Sequence, residues 1–421
     1  MPDHARSKTQ NMTRNAGQVL RRRVFYIPGY DPFHPRRYRE LYRKEGADQA
    51  EILGYTLALT PKKIGGTYGW DVAATIDNAD VQTQIDVLVW SDIVKGSMAT
   101  GIFSTYRQMM KTAWIYINSG ALWRLMRLRK GPLIAALYPV VFLLAQAVLA
   151  GLVLGVVAQA GAALLAPLWG GFGQAASLAI GIGAAAFLLR WFRRIDNKLF
   201  AYYLMHDYAF SAQFKGANPP ELEARMASFG DAIAAAMTDD VDEVLVVGHS
   251  SGAHLAVSIL SDLIRAKRLP ARGPALSLLT LGHVVPMVSF LPKAYRLRAD
   301  LAFLCTSDTL VWVDVTAPGD GCAFALCDPV SVTGVARSGK RWPLVFSAAF
   351  TQSLSPARWK ALRWRFFRVH FQYLCAFDRP RDYDYFQITA GPRTLGARYA
   401  GRRPSQSRIE TAVNKYTAVV P

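Results

Sequence analysis

Charge is scarce in this chain. Only 19% of its residues are Asp, Glu, Lys or Arg, while 52% are hydrophobic. Typical soluble domains carry about a quarter charged residues, and disordered chains combine charge with few apolar side chains, so a disordered or low-complexity protein is excluded. Cysteine is scarce as well. Cys305, Cys322, Cys327 and Cys375 are too sparse for a disulfide scaffold and lack the C-x-x-C spacing of a metal site. They read as buried thiols in a reducing compartment, and no spacing calls for a metal or cofactor. The N-terminal residues contain no apolar core of a secretory signal. Acidic residues are outnumbered, 30 against 49 Lys and Arg, for a net +19. Residues 1–44 contribute +8 of this and residues 355–421 contribute +9. Basic ends suit solvated tails and helix faces, or contact with anionic lipid headgroups, to which each nearby Lys or Arg adds about 1 kcal/mol. No nucleic-acid motif accompanies the charge, so a nucleic-acid partner is not expected.

The longest absence lies mid-chain. From Gly131 to Leu189 there is no Asp, Glu, Lys, Arg or His. One membrane span needs about 20 apolar residues, so this stretch predicts two transmembrane helices, at about 133–157 and 174–191. The connection at 161–173 contains Pro167, Trp169, Gly170 and Gly171. Arg124, Arg127, Arg129 and Lys130 precede the stretch, and Arg190, Arg193, Arg194 and Lys198 follow it. By the positive-inside rule both ends, and the domain they carry, are expected on the cytoplasmic side, in the inner or plasma membrane if the source is a bacterium. Small residues such as Gly151, Gly155, Gly181 and Gly183 would let the helices approach closely. No ionisable side chain marks an ion pathway, so an anchor is expected rather than a transporter.

A length of 421 residues suits one large domain or two ordinary ones. The expected division is a basic tail at 1–20, a first part of the domain at 21–130, the membrane hairpin at 131–193, a second part at 194–400 and a tail at 401–421. Helical spacing predicts helices at 35–53, 104–130, 221–237 and 251–267, and in the first half of 359–377. Short apolar runs predict strands at 24–27, 55–59, 70–76, 84–90, 244–247, 275–281, 301–305 and 310–316. Strands alternating with helices indicate an α/β fold with a mostly parallel sheet flanked by helices.

One motif carries chemistry. Gly248-His249-Ser250-Ser251-Gly252 is a G-x-S-x-G, preceded by the strand-like Val244-Leu245-Val246-Val247 and followed by a helical pattern. Such a strand–turn–helix setting is what a nucleophile elbow requires: Gly248 and Gly252 let the two backbones approach, and Ser250 projects from the turn. With this context the sequence resembles the α/β-hydrolase superfamily, in particular its lipase and esterase branch, over about residues 21–400 without the hairpin.

The resemblance implies a nucleophile, then an acid, then a histidine along the chain. Ser250 takes the first role. His370, in Arg368-Val369-His370-Phe371-Gln372-Tyr373, is the histidine that follows the acid candidates. Asp308, Asp314, Asp320 and Asp328 are the candidates for the acid. A strand and turn at 310–319 lead to Asp320, which is favoured; Asp314 lies inside the strand and reads as a structural carboxylate, and Asp308 comes third. The oxyanion hole would use the amide of Ser251 and that of Tyr30, or secondarily of Asp31, after Phe25-Tyr26-Ile27-Pro28-Gly29. His249 reads as a packing residue and His283 as a possible pocket residue. The implied activity is hydrolysis of carboxylic esters by a membrane-anchored serine hydrolase, acting on lipids or other lipophilic acyl substrates. Acyl transfer on the same residues, or an inactive membrane-anchored binding module, are the competing readings.

Overall fold

The computed structural model describes residues 17–62, 66–98 and 101–421. Residues 1–16 of the expected basic tail lie outside these. Eight strands form its frame: β1 (Arg21–Ile27), β2 (Thr56–Pro61), β3 (Gly69–Ile76), β4 (Ala79–Val87), β5 (Glu243–His249), β6 (Ala275–Leu281), β7 (Leu310–Thr316) and β8 (Leu344–Ser347). They make one sheet in the order β2-β3-β4-β1-β5-β6-β7-β8. β3 is antiparallel to both its neighbours, and the remaining pairs are parallel.

The central strands read as continuous apolar runs because both sheet faces are covered. Phe25, Ile27, Val244 and Val246 face one core, shared with α8 (Pro220–Ala236) and α9 (Gly252–Arg265). Val24, Tyr26, Leu245 and Val247 alternate onto the other, shared with α1 (Arg36–Leu53) and Phe346, Tyr373 and Phe386. β1 has its sequence successors β2 to β4 on one side and β5 to β8 on the other. In open α/β sheets such a reversal leaves a crevice beyond the carboxyl ends of the strands, where ligands bind.

Between β4 and β5 the chain leaves the sheet. α2 (Ser91–Met98), α3 (Ile102–Asn118) and α4 (Ala121–Leu125) lead into α5 (Lys130–Arg194), and α6 (Asp196–Leu199) and α7 (Ala201–Ala212) lead back. α5 is long and apolar enough to cross a membrane, and only 17% of its most apolar window is buried inside the protein. A core helix of a soluble domain would be mostly buried. Two helices with a connection at 161–173 were expected; the structure has one helical run through this segment, with non-helical dihedrals at Gly170 alone. Ala162-Ala163-Leu164-Leu165-Ala166 are strong helix formers and carry the helix into the expected connection; Pro167, just past them, lies inside it. Residues on either side of Gly170 touch: the Phe142 and Phe192 rings lie 6.3 Å apart, and a Cβ on Gly181 would come within 2.8 Å of the Leu154 carbonyl.

Four further expectations change. The segment 301–305 is not a strand but the end of a helix, Tyr295–Leu304, whose Leu297, Leu301 and Leu304 enter the core at helical spacing; a short apolar run does not distinguish the two. β8 was not foreseen, being only Leu344–Ser347. The segment 359–377 breaks into Pro356–Leu362, Phe366–His370 and a 3₁₀ turn at Gln372–Leu374. Finally, residues 401–421 are no free tail. The Ile409 N–H donates to the Leu326 carbonyl at 2.7 Å, and Arg298 Nε donates to the Ala418 carbonyl at 2.6 Å. These backbone attachments have no periodic side-chain signature, so the sequence does not advertise them. At the other end Val19 is buried, its N–H on the Pro392 carbonyl.

Candidate active site

Ser250 directly follows β5, and Ser251 alone separates it from α9. Its φ of 56° is left-handed, a conformation that costs a non-glycine residue roughly 1–2 kcal/mol. Its N–H donates to the Leu281 carbonyl at 2.9 Å, which ties the turn to the end of β6. The flanking glycines are required by space. A Cβ on Gly252 would lie 2.1 Å from the Ile27 carbonyl oxygen, and one on Gly248 would lie 2.7 Å from the Ala253 Cα. Gly29, after β1, is equally constrained: its Cβ would stand 2.9 Å from that of Ser250.

The loop after β1 is fixed from two sides. Trp90 Nε1 donates to the Pro28 carbonyl at 3.0 Å, and the Tyr203 hydroxyl donates to the Tyr30 carbonyl. Both expected oxyanion donors, the amides of Ser251 and Tyr30, belong to residues on the wall of one cavity with Ser250. Neither amide donates to a protein acceptor among the described residues.

His370 ends the short helix Phe366–His370 and reaches the same cavity. Its Nδ1 donates to Asp320 Oδ2 at 2.7 Å, which leaves Nε2 with its lone pair. Asp320 follows β7 through the turn Ala317-Pro318-Gly319 and is itself buried. It also accepts from the Tyr373 hydroxyl at 3.1 Å and, through Oδ1, from the Cys322 N–H at 2.9 Å. The Tyr373 hydroxyl in turn accepts from the Ala317 N–H at 3.0 Å. Gly282, at φ 53°, lies against this pair; a Cβ there would be 3.2 Å from His370 Cε1. No hydrogen bond joins the Ser250 hydroxyl to His370, although both face the cavity.

The other acid candidates are elsewhere. Asp314 is buried within β7, accepts from Thr280 Oγ1 at 2.6 Å, and burial pushes its carboxyl well above the usual range. Asp308 is exposed in the turn before β7, at the opposite end of that strand from Asp320. Asp328 caps the helix Pro329–Thr333 and pairs with Lys340.

Several contributors escaped the sequence reading. His249 is more than packing: its Nε2 donates to the His370 carbonyl at 3.0 Å, and its Nδ1 accepts from the Tyr26 hydroxyl at 3.2 Å. Burial, with His370 adjacent, holds its imidazole well below the usual pKa and so neutral. His283 is buried outside the cavity, donating to the Cys327 carbonyl at 3.0 Å. α7 supplies Tyr203, Leu204, Asp207, Tyr208 and Ser211 to the cavity, an i, i+1, i+4, i+5, i+8 pattern that marks one helix face. Pro132, at the start of α5, also lines it.

Asp320, Cys322 and His370 offer ligand atoms within 4.8 Å of one another. A metal would need Cys322 as a thiolate. Burial, with Asp320 and Asp207 nearby, pushes that thiol well above its usual pKa, and His370 Nδ1 is already committed to Asp320. The donor set therefore fits a proton-transfer pair better than a metal. Comparison with protein-family models, with curated proteins and with solved structures finds no match to this chain.

Proposed function

We propose that this chain is a membrane-anchored serine hydrolase that cleaves carboxylic esters of lipids or other lipophilic acyl compounds. The observation that carries the reading is the left-handed Ser250, between strand and helix, on one cavity wall with the Asp320–His370 pair. On this reading His370 Nε2 takes the Ser250 proton as the hydroxyl oxygen attacks the ester carbonyl. The oxyanion is held by the amides of Ser251 and Tyr30. Asp320 stabilises the imidazolium, which returns the proton to the leaving alcohol, and water then releases the acid. In a site without substrate the serine–histidine bond is often unmade and tightens only on binding. The α/β-hydrolase superfamily is the family this arrangement most resembles.

The anchor is α5, read as two spans folded back at Gly170 with both ends cytoplasmic. Its exposed side chains, among them Ile134, Val141, Val148, Val156, Phe172 and Phe187, suit lipid contact. Arg129 and Arg124 clamp its entrance to the domain through the carbonyls of Ala325 and Val413. Exposed Phe103, Trp114, Trp123 and Trp364 would rest at the anionic interface. Since Pro132 lines the cavity, the site lies at the foot of this anchor, within reach of a bilayer substrate.

The test is labelling of isolated membranes with a fluorophosphonate probe. Native protein should label and Ser250→Ala should not. An unlabelled, folded native protein would overturn the hydrolase reading and favour a binding module. Transfer of the acyl group to an added alcohol in preference to water would make it an acyltransferase.

A further inference from the structure

One ionisable group in the cavity has no task in the mechanism above. Asp207 lies on the cavity-facing side of α7, in the same lining as Ser250 and His370. Its carboxyl takes part in no hydrogen bond or ion pair among the described residues. Asp207 is half-buried, and carboxylates withdrawn from water normally have such partners. The other carboxylate on this wall, Asp31, accepts from the Phe33 N–H, Tyr38 and Arg37, whereas the hydroxyls of Ser211, Ser250 and Tyr208, which also lack a bond, are neutral. Around it stand the phenols of Tyr203, Tyr208, Tyr30 and Tyr116, the thiol of Cys322 and the imidazole of His370. No Lys or Arg is among these neighbours. Burial raises its pKa to about 7, with His370 acting in the opposite sense.

An unpartnered acceptor on the wall of a binding cavity is how such sites fix orientation and select substrates. Resting on the serine-hydrolase reading, we propose that Asp207 is the specificity-determining residue of this site and binds a hydroxyl group carried by the alcohol portion of the ester. A hydroxyl satisfies either form of the carboxyl, donating to the carboxylate or accepting from the acid. A cationic headgroup is disfavoured by the mechanism itself, because His370 becomes positive when it takes the Ser250 proton. The substrate class is therefore a partial ester of a polyol, with at least one free hydroxyl near the scissile bond.

The experiment uses the full chain in detergent micelles and three octanoate esters: 2,3-dihydroxypropyl, 2,3-dimethoxypropyl and choline. The kcat/KM ratio of the dihydroxy over the dimethoxy ester is the readout. Native protein should favour the dihydroxy ester, and Asp207→Leu should lower that ratio by about ten- to a hundredfold, the range of one hydrogen bond to a charged group. Asp207→Asn, whose amide oxygen still accepts, should lie between. An unchanged ratio in Asp207→Leu overturns the proposal, and so does an equal loss on both esters, which would mark a structural role. A native preference for the choline ester that vanishes in Asp207→Asn also overturns it, in favour of a cation site. If the native protein cleaves none of the three and takes no fluorophosphonate label, the hydrolase reading itself has failed.

Discussion

Replacing Asp320 with Asn tests the acid assignment and the hydrogen-bond geometry together. The carboxylate accepts three hydrogen bonds, from His370 Nδ1, the Tyr373 hydroxyl and the Cys322 N–H. Asn has the same shape but must turn its NH₂ one way or the other. With the amide oxygen kept on the Cys322 N–H, the NH₂ faces His370 Nδ1. The imidazole then has to accept there and carry its proton on Nε2, where it blocks uptake of the Ser250 proton. With the amide turned round, NH₂ meets the Cys322 N–H, donor against donor, which costs about 1–3 kcal/mol in a buried site. The productive tautomer is thus disfavoured by roughly 5- to 150-fold. Loss of the charged partner for the imidazolium removes about 1.5–3 kcal/mol more, another 10- to 150-fold. Together the expected fall in kcat is about 10²- to 10⁴-fold; the comparable change in serine proteases lowers kcat about 10⁴-fold. The assay is hydrolysis of p-nitrophenyl butyrate in micelles, with the fluorophosphonate labelling rate as a second readout. Asp314→Asn serves as the comparison, since Asp314 bonds Thr280 inside the sheet. If Asp320→Asn stays within tenfold of native while Asp314→Asn is inactive, the acid has been misassigned.

Three other substitutions test the frame around the site. Because Ser250 holds a left-handed φ of 56°, Ser250→Gly should be about 1 kcal/mol more stable than Ser250→Ala by denaturant midpoint, though both are inactive; equal midpoints would remove the strain from the elbow. Gly252→Ala would drive a Cβ to 2.1 Å from the Ile27 carbonyl oxygen, so a loss of at least about 1–3 kcal/mol and of activity is expected; native stability would mean that β1 and α9 stand further apart than this contact requires. Burial raises the Asp207 pKa from the ordinary carboxylate range to about 7, so the folded state holds a proton that the unfolded chain releases. Stability conferred at acid pH is therefore lost as pH rises from about 4 to 7, by no more than about 4 kcal/mol. Asp207→Asn removes this term, so its stability relative to native should climb over that window; a constant difference in the two unfolding midpoints would show that the carboxyl titrates normally.

Much of this molecule is written locally. Val244-Leu245-Val246-Val247, fully apolar and followed at once by Gly-x-Ser-x-Gly, carries its strand, its turn and its buried position in nine residues, with glycines where a Cβ would collide with neighbouring backbone. The uncharged stretch from Gly131 to Leu189 announces an apolar helix that the domain does not cover, since no charged side chain is present to offer a solvated face. What depends on distant pieces of chain is not legible in this way. Leu301 and Leu304 fit a strand or a helix equally until α9 is packed against them. Among Asp308, Asp314 and Asp320 the sequence offers three carboxylates close along one strand, and only the turn after β7 brings one of them to 2.7 Å from His370, 50 residues further on. Asp207 carries no motif at all. It becomes part of the cavity because α7 returns from the apolar helix across the carboxyl ends of β1 and β5, and that path is decided by tertiary packing, not by any pattern among its neighbours in the chain.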